Sequence, residues 1–283
     1  MTDAAASKPN LGRFGVFGRG VTPQQAEEIE SLGYGAVWVG GSPPAELAWV
    51  EPILEATTTL QVATGIVNIW TAPAKDVAES FHRIDKAYPD RFLLGIGVGH
   101  REVISDYRKP YGALVEYLDA LDEYGVPAHR RVVAALGPRV LELSGQRSAG
   151  AHPYLTTPEH TAHARELIGD AAFLAPEHKV VLTTDAEQAR AVGRQALDIY
   201  FNLVNYRNNW KRWGFAQDEV VRPGSDRLVD AVVAYGTLDA IAARLNEHLA
   251  AGADHVPVQV LTKDENLVSA LAELAGPFGL NRS

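Results

Sequence analysis

Short apolar runs rich in β-branched and aromatic residues alternate along the chain with longer stretches of helical periodicity. Eight of these runs read as strands, at 14–17, 36–39, 61–68, 91–97, 132–135, 151–155, 179–183 and 255–260. A first helix opens on Thr22-Pro23, a side-chain cap followed by a residue with no N–H to satisfy, and Gly33 closes it. Further helical patterns cover about 45–58, 74–88, 110–124, 138–147, 158–168, 185–212 and 237–251. Strand–helix alternation implies parallel strands joined by crossover helices, the α/β class. The strands are nearly continuous in apolar residues, which suits a sheet covered on both faces. Eight such units in one chain of 283 residues predict a (β/α)8 TIM barrel, with an inserted helical segment between the seventh and eighth strands. The boundaries predicted are a polar tail over 1–10 and one barrel domain over 11–283. Residues 202–215 carry Tyr206, Trp210, Trp213 and Phe215, aromatics that suit either a lid or an interface, with packing and dimer contact favoured.

Composition narrows the chemistry. With 35 acidic and 26 basic side chains the formal charge is -9, which argues against a nucleic-acid partner. The absence of cysteine excludes a disulfide framework, thiolate metal sites and a thiol nucleophile. The N-terminal stretch lacks the apolar core of a signal peptide, and no run approaches the about 18 apolar residues of a membrane span. A cytoplasmic chain without membrane association is the expectation.

In a barrel of this kind, chemistry sits at the C-terminal ends of the strands. Those positions here are Gly18-Arg19, Gly40-Gly41-Ser42, 65–70, Gly97-Val98-Gly99-His100, Leu136-Gly137-Pro138 and 152–154. Glycine recurs there, and it lets a ring or phosphate approach the backbone closely. The run Gly95-Ile96-Gly97-Val98-Gly99-His100 is not a dinucleotide fingerprint: counted from Gly95, the third glycine place falls on His100. Phosphate-loop, zinc-protease and serine-hydrolase motifs are likewise missing. His100, with Arg101 and Glu102 behind it, offers an acid–base pair at the mouth, or else a solvated loop of polar and charged groups. His152 lies on an apolar strand and reads as a core histidine. Gly137 ahead of a helix offers unpaired N–H groups to an anion, with Arg139 adding charge, or else makes a simple strand–helix turn.

These segments, in this order and spacing, resemble the luciferase-like monooxygenase superfamily and its actinobacterial branch dependent on coenzyme F420. The segments are Phe14-Gly15-Val16-Phe17, the run 33–40, Ala63-Thr64-Gly65-Ile66-Val67-Asn68, the run 91–97, Ala135-Leu136-Gly137-Pro138, Gly150-Ala151-His152-Pro153-Tyr154 and Gly252-Ala253-Asp254-His255. The resemblance covers about residues 11–262. It implies a TIM barrel, often dimeric, that binds F420 or FMN at its C-terminal mouth. It also implies a non-proline cis peptide at Gly65-Ile66, forming a shelf behind the ring. Gly40, Gly65, Ile66, Asn68, Gly97, Val98, Gly99 and His100 are then expected around the ring, and Ala135, Leu136, Gly137 and Arg139 around the phosphate. Trp38 and Trp70 are candidate apolar walls.

Many relatives in that branch carry an acidic or Asp-His element after the second strand. This chain has Gly40-Gly41-Ser42-Pro43 instead. The activity implied is hydride transfer between F420 and a small organic substrate, with His100 and Glu102 handling the proton. An FMN-dependent oxygenase and a barrel that binds deazaflavin without turnover, as carrier or sensor, are the competing expectations. A chain of this acidity that binds a polyanionic coenzyme must gather cations at the mouth, and Arg19, Arg101, Arg139 and Arg147 are the candidates.

Overall fold

A computed structural model describes residues 8–99 and 109–280. The candidates His100, Arg101 and Glu102 lie outside them.

The elements follow one another as β1 (Phe14–Gly18), α1 (Pro23–Ser31), β2 (Ala36–Gly40), α2 (Val50–Ala56), β3 (Gln61–Gly65), β4 (Val67–Asn68), α3 (Ala74–Ala87) and β5 (Phe92–Gly97). Then come α4 (Pro110–Glu123), β6 (Arg131–Val133), α5 (Pro138–Arg147), β7 (Gly150–Ala151), α6 (Pro158–Ile168), β8 (Phe173–Leu174) and β9 (His178–Val180). The last third holds α7 (Ala186–Leu197), α8 (Val204–Arg212), α9 (Asp226–Val232), β10 (Val233–Ala234), α10 (Leu238–Ala250), β11 (Val256–Val260) and α11 (Leu267–Ala275). All strand pairs are parallel, in the order β10-β9-β11-β1-β2-β3-β5-β6-β7-β8.

The run 173–180 closes this curled sheet. On one side the Ala175 and Glu177 N–H groups donate to Ala151 O and Pro153 O, each at 2.9 Å. On the other, Leu174 O accepts from Asp254 N at 2.9 Å, and Val258 pairs with His178. The seventh barrel strand therefore begins at Phe173, earlier than the 179–183 read from sequence. Pro176 and the charged Glu177 interrupt the apolar pattern that marks a strand.

Strand periodicity divides the core in two. Val37, Val39, Val62, Leu94, Ile96, Val256 and Val258 pack outward with the helices. Phe17, Ala36, Trp38, Ala63, Leu93, Val132, Phe173 and Ala175 form a separate cluster that fills the barrel. The predicted cap on α1 is present as a reciprocal box: Thr22 Oγ1 accepts from Gln25 N at 3.2 Å, and Gln25 Oε1 accepts from Thr22 N at 3.0 Å.

The single helix expected over 185–212 is two, α7 and α8, separated by a 3-10 turn at Tyr200–Asn202. Pairing of β10 with β9 and the closing helix α11 were not read from the sequence. Trp210 and Phe215 are buried within this chain, in a cluster with Leu155, Tyr200 and Tyr206. No helix among the described residues is long and apolar enough to cross a membrane.

Candidate active site

A bulge in the third strand builds one wall of the site. Val62 and Ala63 pair with Phe92 and Leu93, whereas Val67 and Asn68 pair with Ile96 and Gly97. Four steps along one strand thus oppose three along the other, one residue in excess. Thr64 spans the interruption. Its Oγ1 donates to Gly95 O and accepts from Gly95 N, both at 2.7 Å. The approach is so close that a Cβ on Gly95 would stand 1.9 Å from Thr64 O. The excess backbone, Gly65-Ile66, is displaced into the mouth, and the peptide between these two residues is cis.

The shelf borders a cavity of about 490 Å3 at the C-terminal ends of the strands. Of the residues expected around a cofactor, Gly65, Ile66, Asn68, Val98, Gly99, Ala135, Leu136 and Gly137 line it. Gly40 and Gly97 do not; they are needed for packing. A Cβ on Gly40 would meet the Phe17 ring at 2.7 Å, and one on Gly97 would meet Ala134 and Ile66 at 3.0 Å. Arg139 stands at the rim with its guanidinium 4.3 Å from the centre of the Tyr111 ring, and Tyr111 is a lining residue.

Arg147 is placed elsewhere. It lies in the last turn of α5, far from that helix's mouth end, and is held by Asp119 at 2.6 Å and Asp122 at 2.7 Å. Trp38 is not a wall but part of the barrel filling, fully buried, and Trp70 donates from Nε1 to Val98 O at 2.8 Å.

At the end where a phosphate was expected, α5 starts on Gly137 with Pro138 in its first turn and no side-chain cap. Pro138 brings no N–H and Val140 N donates to Gly137 O at 3.1 Å, so the Arg139 N–H is the first-turn donor that keeps its capacity for an anion. His160 fixes the preceding turn through Nε2 and Leu136 O at 2.9 Å. The Arg212 guanidinium, contributed by α8, comes within 3.9 Å of where a Cβ on Gly137 would stand. Sequence reasoning did not find Arg212, because only the fold brings residue 212 to residue 137.

The floor is aromatic and polar. His152 stacks on Trp38 with ring centres 4.3 Å apart, and its Nδ1 bonds to Ala175 O at 2.7 Å. A carbonyl only accepts, so Nδ1 carries the proton. Nε2 is left as a buried acceptor without a partner among the described residues, 3.2 Å from where a Cβ on Gly65 would stand. Burial pushes His152 down to about 4, so the ring is neutral. The residue read as core is therefore core and cavity lining at once. Below it, His255 accepts from Trp38 Nε1 at 3.0 Å and bonds through Nδ1 to Gly12 O at 2.8 Å.

Beside the floor lies a fully buried ion pair. Lys179 Nζ donates to Glu177 Oε1 at 2.9 Å, Gln259 Oε1 at 2.8 Å and Tyr154 OH at 2.7 Å. Tyr154 donates onward to Gln259 Oε1 at 2.8 Å, and Tyr200 OH donates to Tyr154 OH at 3.3 Å. Burial pushes Glu177 up and Lys179 down, and the mutual attraction and hydrogen bonds of the pair oppose both shifts.

Phe17, Tyr154, Tyr200 and Tyr206 form an aromatic wall, with Phe17–Tyr154 at 5.4 Å and Tyr200–Tyr206 at 4.9 Å between ring centres. Ser42 from the strand-two end, Asn205 from the 202–215 segment and Ile199, which was not singled out from the sequence, complete this side. No cluster of three His, Asp or Glu side chains able to hold a metal occurs among the described residues.

Residues 17–124 match the sequence model of the luciferase-like monooxygenase family. A curated F420-dependent glucose-6-phosphate dehydrogenase of Mycolicibacterium gilvum is 34% identical over 71 residues, 24% of this chain. That match spans only 21% of the curated relative's length. In fold, the chain is similar to an F420-dependent secondary alcohol dehydrogenase solved with an F420-acetone adduct. That likeness has a TM-score of 0.74 and 13% identity, over 96% of this chain and 99% of that one. It is also similar to the oxygenating constituent of 3,6-diketocamphane monooxygenase of Pseudomonas putida, a type II Baeyer-Villiger enzyme solved with FMN. There the TM-score is 0.64 with 13% identity, over 93% of this chain and 97% of that one. Residues 17–124 thus carry the luciferase-like monooxygenase match, and the curled parallel sheet is similar in fold to these solved enzymes over nearly its whole length.

Proposed function

We propose that the protein is an F420-dependent oxidoreductase that moves hydride between the deazaflavin and a small organic substrate. The observation that carries this reading is the cationic rim at the start of α5. The Arg139 N–H has no backbone partner among the described residues, Arg212 stands beside Gly137, and the Arg139 side chain follows at the second helical position. A single phosphate needs only the helix terminus. Two arginines in addition suit a longer, polyanionic tail, and the F420-dependent relative supports the same choice.

The residues present fit a flat ring system on the other side. Gly65-Ile66 offer a backbone shelf, Val98 and Gly99 an edge without bulk, and His152 Nε2 a buried acceptor. When bound, F420 supplies the hydride-carrying carbon, and the protein's part is to orient the ring, shield it from water and hold protons. The residues proposed for proton handling are His100 and Glu102. Asn68 Oδ1 accepts from Trp70 N at 3.1 Å, which holds the loop beyond the shelf.

The FMN-dependent oxygenase is the second reading, favoured by the FMN-bound neighbour. Fluorescence titration with F420 separates them when repeated on an Arg139→Gln/Arg212→Gln variant. F420 affinity falls by about tenfold or more and loses much of its salt dependence if the two arginines read the tail. Unchanged affinity removes the observation on which the reading stands.

A further inference from the structure

The cavity has a second cationic point, far from the first. Arg19 follows β1, whereas Gly137 follows β6, and in the closed order β1-β2-β3-β5-β6-β7-β8/β9-β11 these strands are four apart in either direction. The two sites therefore face each other across the mouth, with the shelf between them.

Arg19 is the only charged residue among the described residues that line the cavity. In a chain with nine more acidic than basic groups, no described carboxylate lines that space. Other arginines are bound to carboxylates: Arg83 to Glu51, Arg130 to Asp85 and Asp90, Arg165 to Asp254, Arg227 to Glu219. Arg19 makes no ion pair or side-chain hydrogen bond with any described residue. Its stem packs over Gly41, where a Cβ would find Arg19 Cδ and Nε at 3.6 Å. Gly41 holds a φ of 89°, so the turn that leaves room for the arginine requires glycine.

The surface next to Arg19 is the aromatic wall of Phe17, Tyr154, Tyr200 and Tyr206. The Tyr154 hydroxyl is taken up by Lys179 and Gln259, so that residue offers the cavity ring surface rather than a donor. Lys179 cannot serve an incoming anion either, since Glu177 already neutralises it.

We infer that this end of the cavity is the substrate subsite and that it takes an aromatic or comparably flat apolar molecule carrying a carboxylate, which Arg19 binds. The inference deepens the oxidoreductase reading by naming the substrate class. A planar fork matches a carboxylate with two parallel hydrogen bonds, and a site built for that charge discriminates against the neutral analogue. Ring stacking on the tyrosines supplies affinity without specificity.

The probe is 2-naphthoate, titrated against the intact protein by its fluorescence, with 2-naphthamide as the neutral analogue of the same shape. The wild type binds naphthoate more tightly than naphthamide, and Arg19→Gln weakens naphthoate by about tenfold or more while leaving naphthamide unchanged. Arg19→Lys restores part of the loss. Equal binding of the two probes, or a loss that follows Arg212→Gln instead of Arg19→Gln, overturns the proposal. Repeating the titration with F420 present keeps the two readings apart: a chain that fails to bind F420 but discriminates naphthoate through Arg19 retains the subsite and loses the cofactor assignment.

Discussion

Lowering the pH from 7 to 5 removes much of this protein's stability, because its interior holds histidines that must stay neutral. Burial pushes His152, His160 and His255 down to about 4 and His248 to about 3, and drives His178 well below the ordinary 6.5. Their hydrogen bonds show what a second proton would break. His255 Nε2 accepts from the Trp38 indole, and His248 bridges Thr161 Oγ1 at 2.8 Å and His178 at 3.0 Å.

The sign follows from linkage. The folded value is depressed, so between 6.5 and 4 the unfolded chain binds the proton and the folded one does not. Stability is full above 6.5 and lost as pH falls through that window. For one histidine shifted from 6.5 to 4, the step from pH 7 to 5 costs about 2 kcal/mol. Taken over the four histidines with assigned values, the loss approaches about 7 kcal/mol, against the roughly 5–15 kcal/mol that holds a typical domain together. Depressed carboxylates do not confuse the window: Glu30, drawn to about 2 against the opposing effect of its partial burial by N–H groups of residues 58–60, titrates below it.

Urea unfolding followed by tryptophan fluorescence at pH 7, 6 and 5 reads the effect as a falling midpoint at constant slope. A free energy that stays level within about 1 kcal/mol from pH 7 to 5 refutes neutral burial of these rings.

Three further outcomes follow from the site. Lys179→Met leaves Glu177 buried without its partner and costs about 3–5 kcal/mol, while Glu177→Leu/Lys179→Met recovers most of it; thermal melts of the single and double variants check this, and an additive double variant contradicts it. Thr64→Val removes both hydrogen bonds to Gly95 and costs about 1–3 kcal/mol. It also weakens cofactor binding, because the Gly65-Ile66 shelf loses its tie, and calorimetric titration reads that second effect. Gly40→Ala forces a Cβ into the Phe17 ring, so it lowers the melting temperature although residue 40 does not line the cavity.

Sequence periodicity was enough for the barrel because its signal is local: apolar runs of about five residues, capped helices and glycine stops. It failed at Phe173, where Pro176 and the buried Glu177 break the apolar run, and in the 185–212 segment, where the chain turns at Tyr200 without a proline or glycine. The shelf and the α5 terminus were legible since each is one contiguous stretch. Arg212, Tyr200 and the free Nε2 of His152 were not, because their meaning depends on residues tens of positions away, 46 in the case of Tyr200 and Tyr154. The recurrent glycines at strand ends divide into two groups that spacing cannot separate. Gly99 and Gly137 open the cavity, Gly40 and Gly97 make room for Phe17 and Ile66, and Gly65 does both, since a Cβ there would meet the Phe17 ring at 2.6 Å.

The most direct test of the cofactor assignment is a side-by-side equilibrium titration of the purified chain with F420 and with FMN at matched ionic strength. The account predicts saturable F420 binding at least about tenfold tighter than FMN, with the advantage shrinking as salt screens Arg139 and Arg212. Tight FMN binding with no response to F420 contradicts it.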